Sequence, residues 1–202
     1  MCLRRCCPRP KRSEALPNYA VEGTRIPVDS PFPLEEHLES GARNLSWELT
    51  YDLTQHGGSV HALKSRLSAT RQDPRVLEVV AADGSVFGAV WYRDRDGDCT
   101  VVYTTPRRCV SSAPVTCSDL RVYSSVKPAK VRLHQDSFSI GLEGGTGVAL
   151  WMDDALDYGF SAPSNLFQSP PLTGNHNFRC VGFRVWAPAS SPAKRFARPS
   201  DG

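Results

Sequence analysis

The stretch that decides the fold is FSIGLEGGTGVALWMDDALDYGF, residues 138–160, in which a glycine-rich segment separates two apolar runs. Four glycines fall within seven positions, namely Gly141, Gly144, Gly145 and Gly147. The second run ends in two adjacent carboxylates, Asp153 and Asp154. Two interpretations are open: a phosphate-binding loop leading to a pair of catalytic acids, or a tight connection between two strands of a sheet.

A phosphate loop needs a strand before it and a helix after it, so that backbone N–H groups and the helix dipole converge on the anion. Here residues 148–152 have the pattern of a strand, and no Lys-Ser or Lys-Thr pair follows the glycines. Adjacent residues of a strand point to opposite faces, whereas a catalytic acid–base pair converges on one cleft. The stretch therefore favours two strands joined by glycines that supply positive φ or a bulge.

Short β-type segments separated by turn residues make up most of the chain after residue 45. Two of them flank residues 82–85, Ala-Asp-Gly-Ser, and Asp-Gly is a strong hairpin signal. The others are SWELTY (46–51), CTVVYTT (99–105), LRVYSS (120–125), KVRLH (130–134), FSIGL (138–142), VALWMD (148–153) and FRCVGFRVWA (178–187). In SWELTY, the alternation of Trp47, Leu49 and Tyr51 with polar residues predicts a half-buried strand with these three on one face.

Two helices are predicted. The first occupies residues 33–40 within SPFPLEEHLESG, with glutamates in its first turns and Gly41 as its stop. The second begins after Ser59, a residue type that caps helices. Its apolar residues fall on one face: Val60, Leu63 and Leu67.

Many short strands and two helices favour an α+β fold that is mainly β: a sandwich of two antiparallel sheets flanked by short helices. Residues 30–187 form this domain, including the first helix. Residues 1–29, basic and rich in proline, are predicted to be a disordered arm, and residues 188–202 a disordered basic tail.

The predicted core contains large apolar residues of the strands: Trp47, Phe87, Trp151, Phe183 and Val185. Trp151 is placed there because both of its neighbours, Leu150 and Met152, are apolar. The alternative for Trp151 is a surface tryptophan at a site for a protein partner.

The net charge is +3, and the excess of positive charge lies at the two ends of the chain. Residues 1–12 carry five basic side chains and no acid, and residues 188–202 carry three basic side chains and one acid. The domain between them is net negative, which argues against nucleic-acid binding, because that needs clustered Lys and Arg. The chain has seven cysteines, an odd number, and no CxxC motif. It also has no apolar leader and no membrane span, so we expect a cytoplasmic protein.

No catalytic, cofactor-binding or metal-binding constellation is found. RDRDGD, residues 93–98, places glycine at the fourth position of a calcium loop rather than the sixth, and Thr105 where a glutamate ligand is needed. A charged turn is therefore favoured there. The histidines have no metal-ligand spacing: His37, His56, His61, His134 and His176.

Taken in order, these segments resemble the TLDc domain of the oxidation-resistance protein family over residues 47–187. The resemblance is carried by WELTYDLTQHGGSVHALKSRL (47–67), VLEVVAADGSVFGAV (76–90), SIGLEGGTGVALWMDDALDYGFSAPSNLFQSPPL (139–172) and FRCVGFRVWA (178–187). The third is the most specific, since it is similar to the family's Gly-rich turn, Leu-Trp-Leu-Asp strand and Gly-x-Ser loop. The resemblance implies a structural motif at Gly141, Gly144, Gly145, Gly147, Trp151, Asp153, Gly159 and Trp186.

The chain departs from the family pattern at three places. Cys99, in DGDCT, stands where the family usually has a glutamate. Ala149 stands where a glycine is usual, and Gln168-Ser169 replaces Asn-Asn or Gly-Asn.

The resemblance implies protein binding rather than catalysis: a role in protection against oxidative damage, with subunits of the vacuolar proton-pumping ATPase as partners. The alternative from another class is a thiol-dependent redox protein or enzyme that uses Cys99. Asp96 and Asp98 precede this thiol, and negative charge raises a thiol pKa, which disfavours that alternative.

The first twelve residues, MCLRRCCPRPKR, place Cys2, Cys6 and Cys7 among basic residues. Cysteines in such a setting are candidates for S-palmitoylation, which would attach the protein to the cytosolic face of a membrane. An inert arm with free thiols is the second interpretation. A mitochondrial presequence is the third, although Pro8 and Pro10 interrupt the helix that it needs.

Overall fold

The computed structural model describes Leu34, Leu38, Leu45 and residues 47–92, 98–105, 120–141 and 147–189. The predicted arm, the tail beyond residue 189 and most of the charged turn at 93–98 lie outside these residues. So does the predicted first helix, apart from Leu34 and Leu38, which are both buried.

Within the described residues the chain forms nine strands and two helices. The strands are β1 (Trp47–Asp52), β2 (Arg75–Ala81), β3 (Val86–Tyr92), β4 (Asp98–Thr105), β5 (Arg121–Leu133), β6 (Ser137–Gly141), β7 (Leu150–Asp153), β8 (Tyr158–Phe160) and β9 (Asn177–Pro188). The helices are α1 (Leu53–His56) and α2 (Val60–Ala69). The class α+β, mainly β, is thus confirmed, whereas helix α1 was not predicted.

All neighbouring strands are antiparallel, in the order β1-β9-β2-β3-β4-β5-β6-β7-β8. The twelve-residue strand β9 also pairs with β8, so it lies between the two ends of the sheet. Its first residues pair with β8 and its later residues with β2 and β1. The described strands therefore form one continuous hydrogen-bonded sheet that closes on itself, and the two separate layers of the sandwich stay a prediction.

Helix α2 forms where the sequence predicts it. The Ser59 side chain accepts a hydrogen bond from the backbone N–H of Ala62 at 3.0 Å, which satisfies a free donor of the first turn. The buried residues of the helix are Val60, Leu63 and Leu67. At the other end, Nη2 of the buried Arg75 donates to the carbonyls of Leu67 and Thr70, each at 2.7 Å. This arginine holds the helix against the start of β2.

The Asp-Gly hairpin is confirmed between β2 and β3. The N–H of Ala81 donates to the carbonyl of Ser85 at 2.9 Å, and the N–H of Ser85 donates to Oδ1 of Asp83 at the same distance. Gly84 has φ +84°, a conformation that glycine adopts without steric cost.

Two hydrophobic clusters lie on opposite faces of the sheet. The main core on the inner face contains Phe87, Phe183 and Val185, as predicted. Trp47 is also buried, but in a second cluster on the outer face, with Leu34, Leu38 and Trp186. Since Tyr51 belongs to the main core, the prediction that Trp47, Leu49 and Tyr51 share one face is wrong. A bulge in β1 between Leu49 and Tyr51 shifts the register and exchanges the faces.

LRVYSS and KVRLH, predicted as two strands, form the single strand β5. Its register against β4 jumps from Ser124 opposite Val101 to Ala129 opposite Cys99. The extra residues of β5 form an outward bulge, in which Val126 is 56% exposed. The turn residues in this segment therefore mark an irregularity within a strand rather than its end.

Candidate interaction surface

The glycine-rich stretch joins two adjacent strands of the sheet. Strands β6 and β7 pair antiparallel, with Ile140 opposite Leu150. Gly147 has φ +100°, and a Cβ on Gly141 would lie 2.8 Å from Cα of Val148. Both positions therefore require glycine for the chain to turn and to pass close to itself. Gly144 and Gly145 lie outside the described residues.

The two adjacent acids end strand β7 and form the turn that follows. Oδ1 of Asp153 accepts hydrogen bonds from the N–H groups of Asp157 and Tyr158, at 2.9 and 3.2 Å. The carbonyl of Asp154 accepts from the N–H of Val60 at 2.9 Å, which links this turn to the start of helix α2. Each acid thus has its own structural partners, and the two do not converge on a cleft.

The Gly-x-Ser motif, Gly159 to Ser161, also has local contacts that account for its residues. A Cβ on Gly159 would lie 2.3 Å from the Phe178 ring and 2.8 Å from the carbonyl of Trp151. The buried Ser161 hydroxyl donates to the carbonyl of Ala149 at 2.7 Å and accepts from the N–H of Leu172 at 2.8 Å. The motif therefore ties the loop after β8 to the beginning of β7.

Gln168 has φ +49°, in the left-handed region. Asparagine and glycine adopt this region at low cost, which explains why the family that the sequence resembles usually has them here. Gln168 occupies it with a longer side chain.

Trp151 lies on the surface, so the prediction that it belongs to the core is wrong. It is 37% exposed, whereas its neighbours Leu150 and Met152 are fully buried in the main core. Successive side chains of a strand point to opposite faces, so two buried neighbours require Trp151 to point outward. The apolar neighbours that suggested burial are thus the reason for exposure.

We name the outer side of β7 and β8 the aromatic face, defined by Trp151, Tyr158 and Phe160. The register places Trp151 opposite Phe160, and Tyr158 lies two residues before Phe160 on the same side of β8. Tyr158 is 46% exposed. Directly opposed residues of antiparallel strands are close neighbours on one face, so these rings form one surface.

Polar residues border the aromatic face. Ser139 of β6 lies opposite Trp151, and Arg179 of β9 lies opposite Tyr158. Burial and the nearby charge of Asp153 raise the pKa of Asp157, which lies in the turn before Tyr158, while Arg179 opposes that rise. The face therefore combines exposed aromatic area with charges of both signs at its border. Tyr158, Phe160 and Arg179 were not predicted from the sequence, although the alternation around the inward Gly159 indicates that Tyr158 and Phe160 point outward.

A buried ionic network lies at the opposite end of the sheet. Arg184 of β9 donates from Nε to Oδ2 of Asp52 and from Nη1 to Oε1 of Glu78, both at 3.0 Å. Both carboxylates are buried, and Asp52 also caps helix α1 by accepting from the N–H of Thr54 at 2.8 Å. Burial raises the pKa of Asp52, but the hydrogen bonds from Thr54 and Arg184 outweigh it, and the net pKa lies below 3.8. This arrangement stabilises three strands and supplies no open site.

The described cysteines are unsuited to thiol chemistry. Cys99 is 1% exposed, and its Sγ lies 3.4 Å from the carbonyl of Val101. Burial raises the pKa of Cys99 far above its usual range, and burial also raises the pKa of Cys180 to about 12. A reactive thiol needs exposure and a low pKa. Cys2, Cys6 and Cys7 lie outside the described residues.

Among the described residues, no group of three or more His, Cys, Asp or Glu side chains is placed to hold a metal ion. Two of the histidines instead have structural hydrogen bonds: Nδ1 of His56 accepts from the N–H of Asp52 at 2.9 Å, and Nδ1 of His176 lies 3.1 Å from the carbonyl of Ser161. Neither described helix is long and apolar enough to cross a membrane.

The described residues define a mainly antiparallel β domain with structural glycine turns and an aromatic face. The sequence profile of the TLDc domain matches residues 29–188. The chain therefore belongs to the TLDc domain family.

A relative supports the same assignment. The chain is 31% identical over 157 residues to Oxidation resistance protein 1 of Yarrowia lipolytica, a match that covers 70% of this chain. It covers 63% of that relative, so the chain spans less than two thirds of the relative's length.

Proposed function

We propose that this chain is a non-catalytic TLDc-type protein-interaction module that acts in protection against oxidative stress, in regulating assembly of the vacuolar proton-pumping ATPase, or in both. The family membership and the name of the Yarrowia lipolytica relative support the oxidative-stress role. The subunits of the proton pump are proposed as partners because the resemblance of the sequence to the TLDc family implies them. The proposal involves no cofactor, metal or nucleic acid.

The exposed aromatic face is the single structural observation that carries this proposal. Tryptophan and tyrosine are enriched at the centres of protein interfaces, because they bury a large area at small entropic cost. Trp151 and Tyr158 are both more than one third exposed and lie on adjacent short strands. The Asp153 carboxylate accepts hydrogen bonds from the backbone N–H groups of Asp157 and Tyr158 and so fixes the turn between these strands, which makes the face preorganised for binding.

The double variant Trp151→Ala, Tyr158→Ala is expected to lower recovery of pump subunits by tagged protein at least tenfold, because hot-spot truncation typically costs ~2 kcal/mol or more. The matched control is Val126→Ala, which removes a side chain 56% exposed on the bulge of β5. The measurement is affinity purification at equal expression, with melting temperatures checked for each variant. Equal recovery by both variants would place the contact elsewhere, and recovery of unrelated proteins only would contradict the pump proposal.

The alternative of a thiol-dependent enzyme that uses Cys99 is less well supported. The buried, poorly ionised thiol lacks both features that a nucleophilic cysteine needs. Turnover of a small substrate that Cys99→Ser abolishes would nevertheless favour this alternative over an interaction module.

We further propose that the N-terminal arm attaches the protein to the cytosolic face of a membrane through acylation of Cys2, Cys6 or Cys7. One acyl chain gives only marginal membrane binding, but a second chain or a basic patch makes it stable. The first twelve residues contain three cysteines and five basic side chains. Each basic residue near an anionic leaflet contributes about 1 kcal/mol.

Replacing Cys2, Cys6 and Cys7 together by serine is expected to move most of the protein from the membrane fraction to the soluble fraction of cells. Cys117→Ser is the control, because this cysteine has no basic neighbour. If the wild type and the triple variant have the same soluble fraction, the arm is inert. Import into mitochondria with loss of the N-terminus, independent of the cysteines, would indicate a presequence.

A further inference from the structure

We propose that a cavity beside the end of β4 and the start of β5 binds a small oxyanion, a phosphate or carboxylate group carried on a compact apolar body. The cavity has a volume of about 230 Å³. Ser85, Arg121 and Tyr123 line it on the side of the sheet, and Pro170, Pro171 and Leu172 line it on the side of the loop before β9. This site is separate from the aromatic face and does not depend on the proposed function.

The lining supplies donors and one positive charge. Arg121 carries five N–H groups, and Ser85 and Tyr123 each carry a hydroxyl. Within the described ranges, the side chains of these three residues have no hydrogen-bond or ion-pair partner. None of the described residues that line the cavity is acidic. An arginine with neighbouring hydroxyls is a donor set that oxyanions satisfy with short, charge-assisted hydrogen bonds.

The wall opposite Arg121 is held in place by hydrogen bonds. The carbonyl of Leu172 accepts from the Thr104 hydroxyl of β4 at 2.7 Å. The N–H of Leu172 donates to Ser161, whose hydroxyl donates to the carbonyl of Ala149. A wall bonded to two parts of the sheet keeps its position when a ligand enters, which lowers the entropic cost of binding.

The size and the chemistry of the cavity limit the ligand. At about 230 Å³ it is smaller than the cavities that hold drug-sized molecules, which begin at about 300 Å³. Pro170 and Pro171 offer carbon surface and no N–H donor. A ligand therefore places its oxyanion toward Arg121 and a small apolar portion against the prolines.

The test is a titration of the folded 202-residue chain with inorganic phosphate and, separately, with succinate, followed by amide chemical shifts in NMR spectra. Saturable shifts confined to residues 121–123 and 171–174 are expected, and Arg121→Gln should weaken the apparent affinity at least tenfold. Ser85→Ala should weaken it by a smaller factor. The control Arg71→Gln removes the same charge at an exposed position outside the cavity and should leave binding unchanged.

The two titrations also separate the sources of the oxyanion. Saturation by phosphate alone would assign a phosphate or phosphoester ligand, and saturation by succinate alone a carboxylate. No saturable shift with either anion, or equal weakening by Arg71→Gln and Arg121→Gln, would overturn the proposal. Melting temperatures of the variants distinguish lost binding from lost folding.

Discussion

Replacing Gly88 with alanine is expected to destabilise the domain by about 3 kcal/mol or more, at the upper end of what overpacking costs. The new Cβ would lie 1.8 Å from the carbonyl oxygen of Leu77 and 2.7 Å from the hydroxyl of Tyr103. The first contact is with backbone, which cannot move aside as the end of a flexible side chain can. The sheet must therefore distort at this position.

Gly88 matters because a buried tyrosine crosses over it. Tyr103 of β4 lies opposite Gly88 of β3. Its hydroxyl reaches across β3 and donates to the carbonyl of Leu77 on β2 at 2.6 Å. Burial, and then the nearby charge of Glu78, raise the pKa of Tyr103 well above its usual value, so the hydroxyl remains protonated and donates. Breaking this bond would leave the buried Tyr103 hydroxyl without its acceptor, which adds about 1–3 kcal/mol for an unsatisfied group.

Urea unfolding at equilibrium measures the effect. The control is Gly84→Ala, since Gly84 has φ +84° but no atom within 4 Å of the added Cβ. It should cost only about 1–2 kcal/mol, the strain of a left-handed alanine. Similar losses in the two variants would mean that conformation, rather than the close approach at Gly88, determines the cost.

Arg184→Met is expected to destabilise the domain by about 3 kcal/mol at pH 7, because breaking a buried ion pair leaves uncompensated charge. The variant leaves the carboxylates of Asp52 and Glu78 buried, at 5% and 4% exposure, without their shared cation. This value is at the low end for buried pairs, because the arginine side chain itself is 32% exposed and partly screened.

The loss should depend on pH in a defined direction. In the wild type, the folded pKa of Asp52 lies below its ordinary value of 3.8, so Asp52 stabilises the fold above that pH and loses the contribution as pH falls through the folded pKa. Without Arg184, the pKa of Asp52 rises, and protonation relieves the buried charge. The difference in unfolding free energy between wild type and variant should therefore shrink as the pH is lowered from 7 to 4.

Urea unfolding at several pH values tests this prediction, with Arg71→Met as a control for the loss of an exposed arginine. The control should change stability by less than about 0.5 kcal/mol, as is usual for surface substitutions. A deficit in Arg184→Met that stays constant between pH 7 and pH 4 would show that lost packing, rather than unpaired charge, causes it.

Local sequence features were sufficient for the parts of the fold that depend on neighbouring residues. The Asp-Gly turn, the Ser59 cap with its apolar helix face, and the paired strands on either side of the glycines all appear where the sequence predicts them. In each case the determining interactions span only a few residues, so period and turn chemistry identify them. The motif glycines Gly141 and Gly159 were likewise identified through the family resemblance.

The candidate surface could be predicted only in part. The sequence singled out Trp151 but favoured its burial, with a surface position as the alternative. Met152 and Leu150 decide the question, since their burial turns Trp151 outward. Tyr158 and Arg179 join it through the register of β8 against β7 and β9, which involves residues far apart in the chain.

What only the tertiary structure decided depends on contacts between distant segments. The bulge in β1 exchanges the faces of Trp47 and Tyr51, and β9 joins the two ends of the sheet through its pairing with β8. The burial of Cys99 and the bonds of Arg184 to Asp52 and Glu78 arise in the same way. Whether a side chain is buried is set by what covers it, and in a sheet that closes on itself the covering residues come from remote parts of the chain. Local periodicity predicts which residues alternate, but only long-range packing decides which face becomes the core.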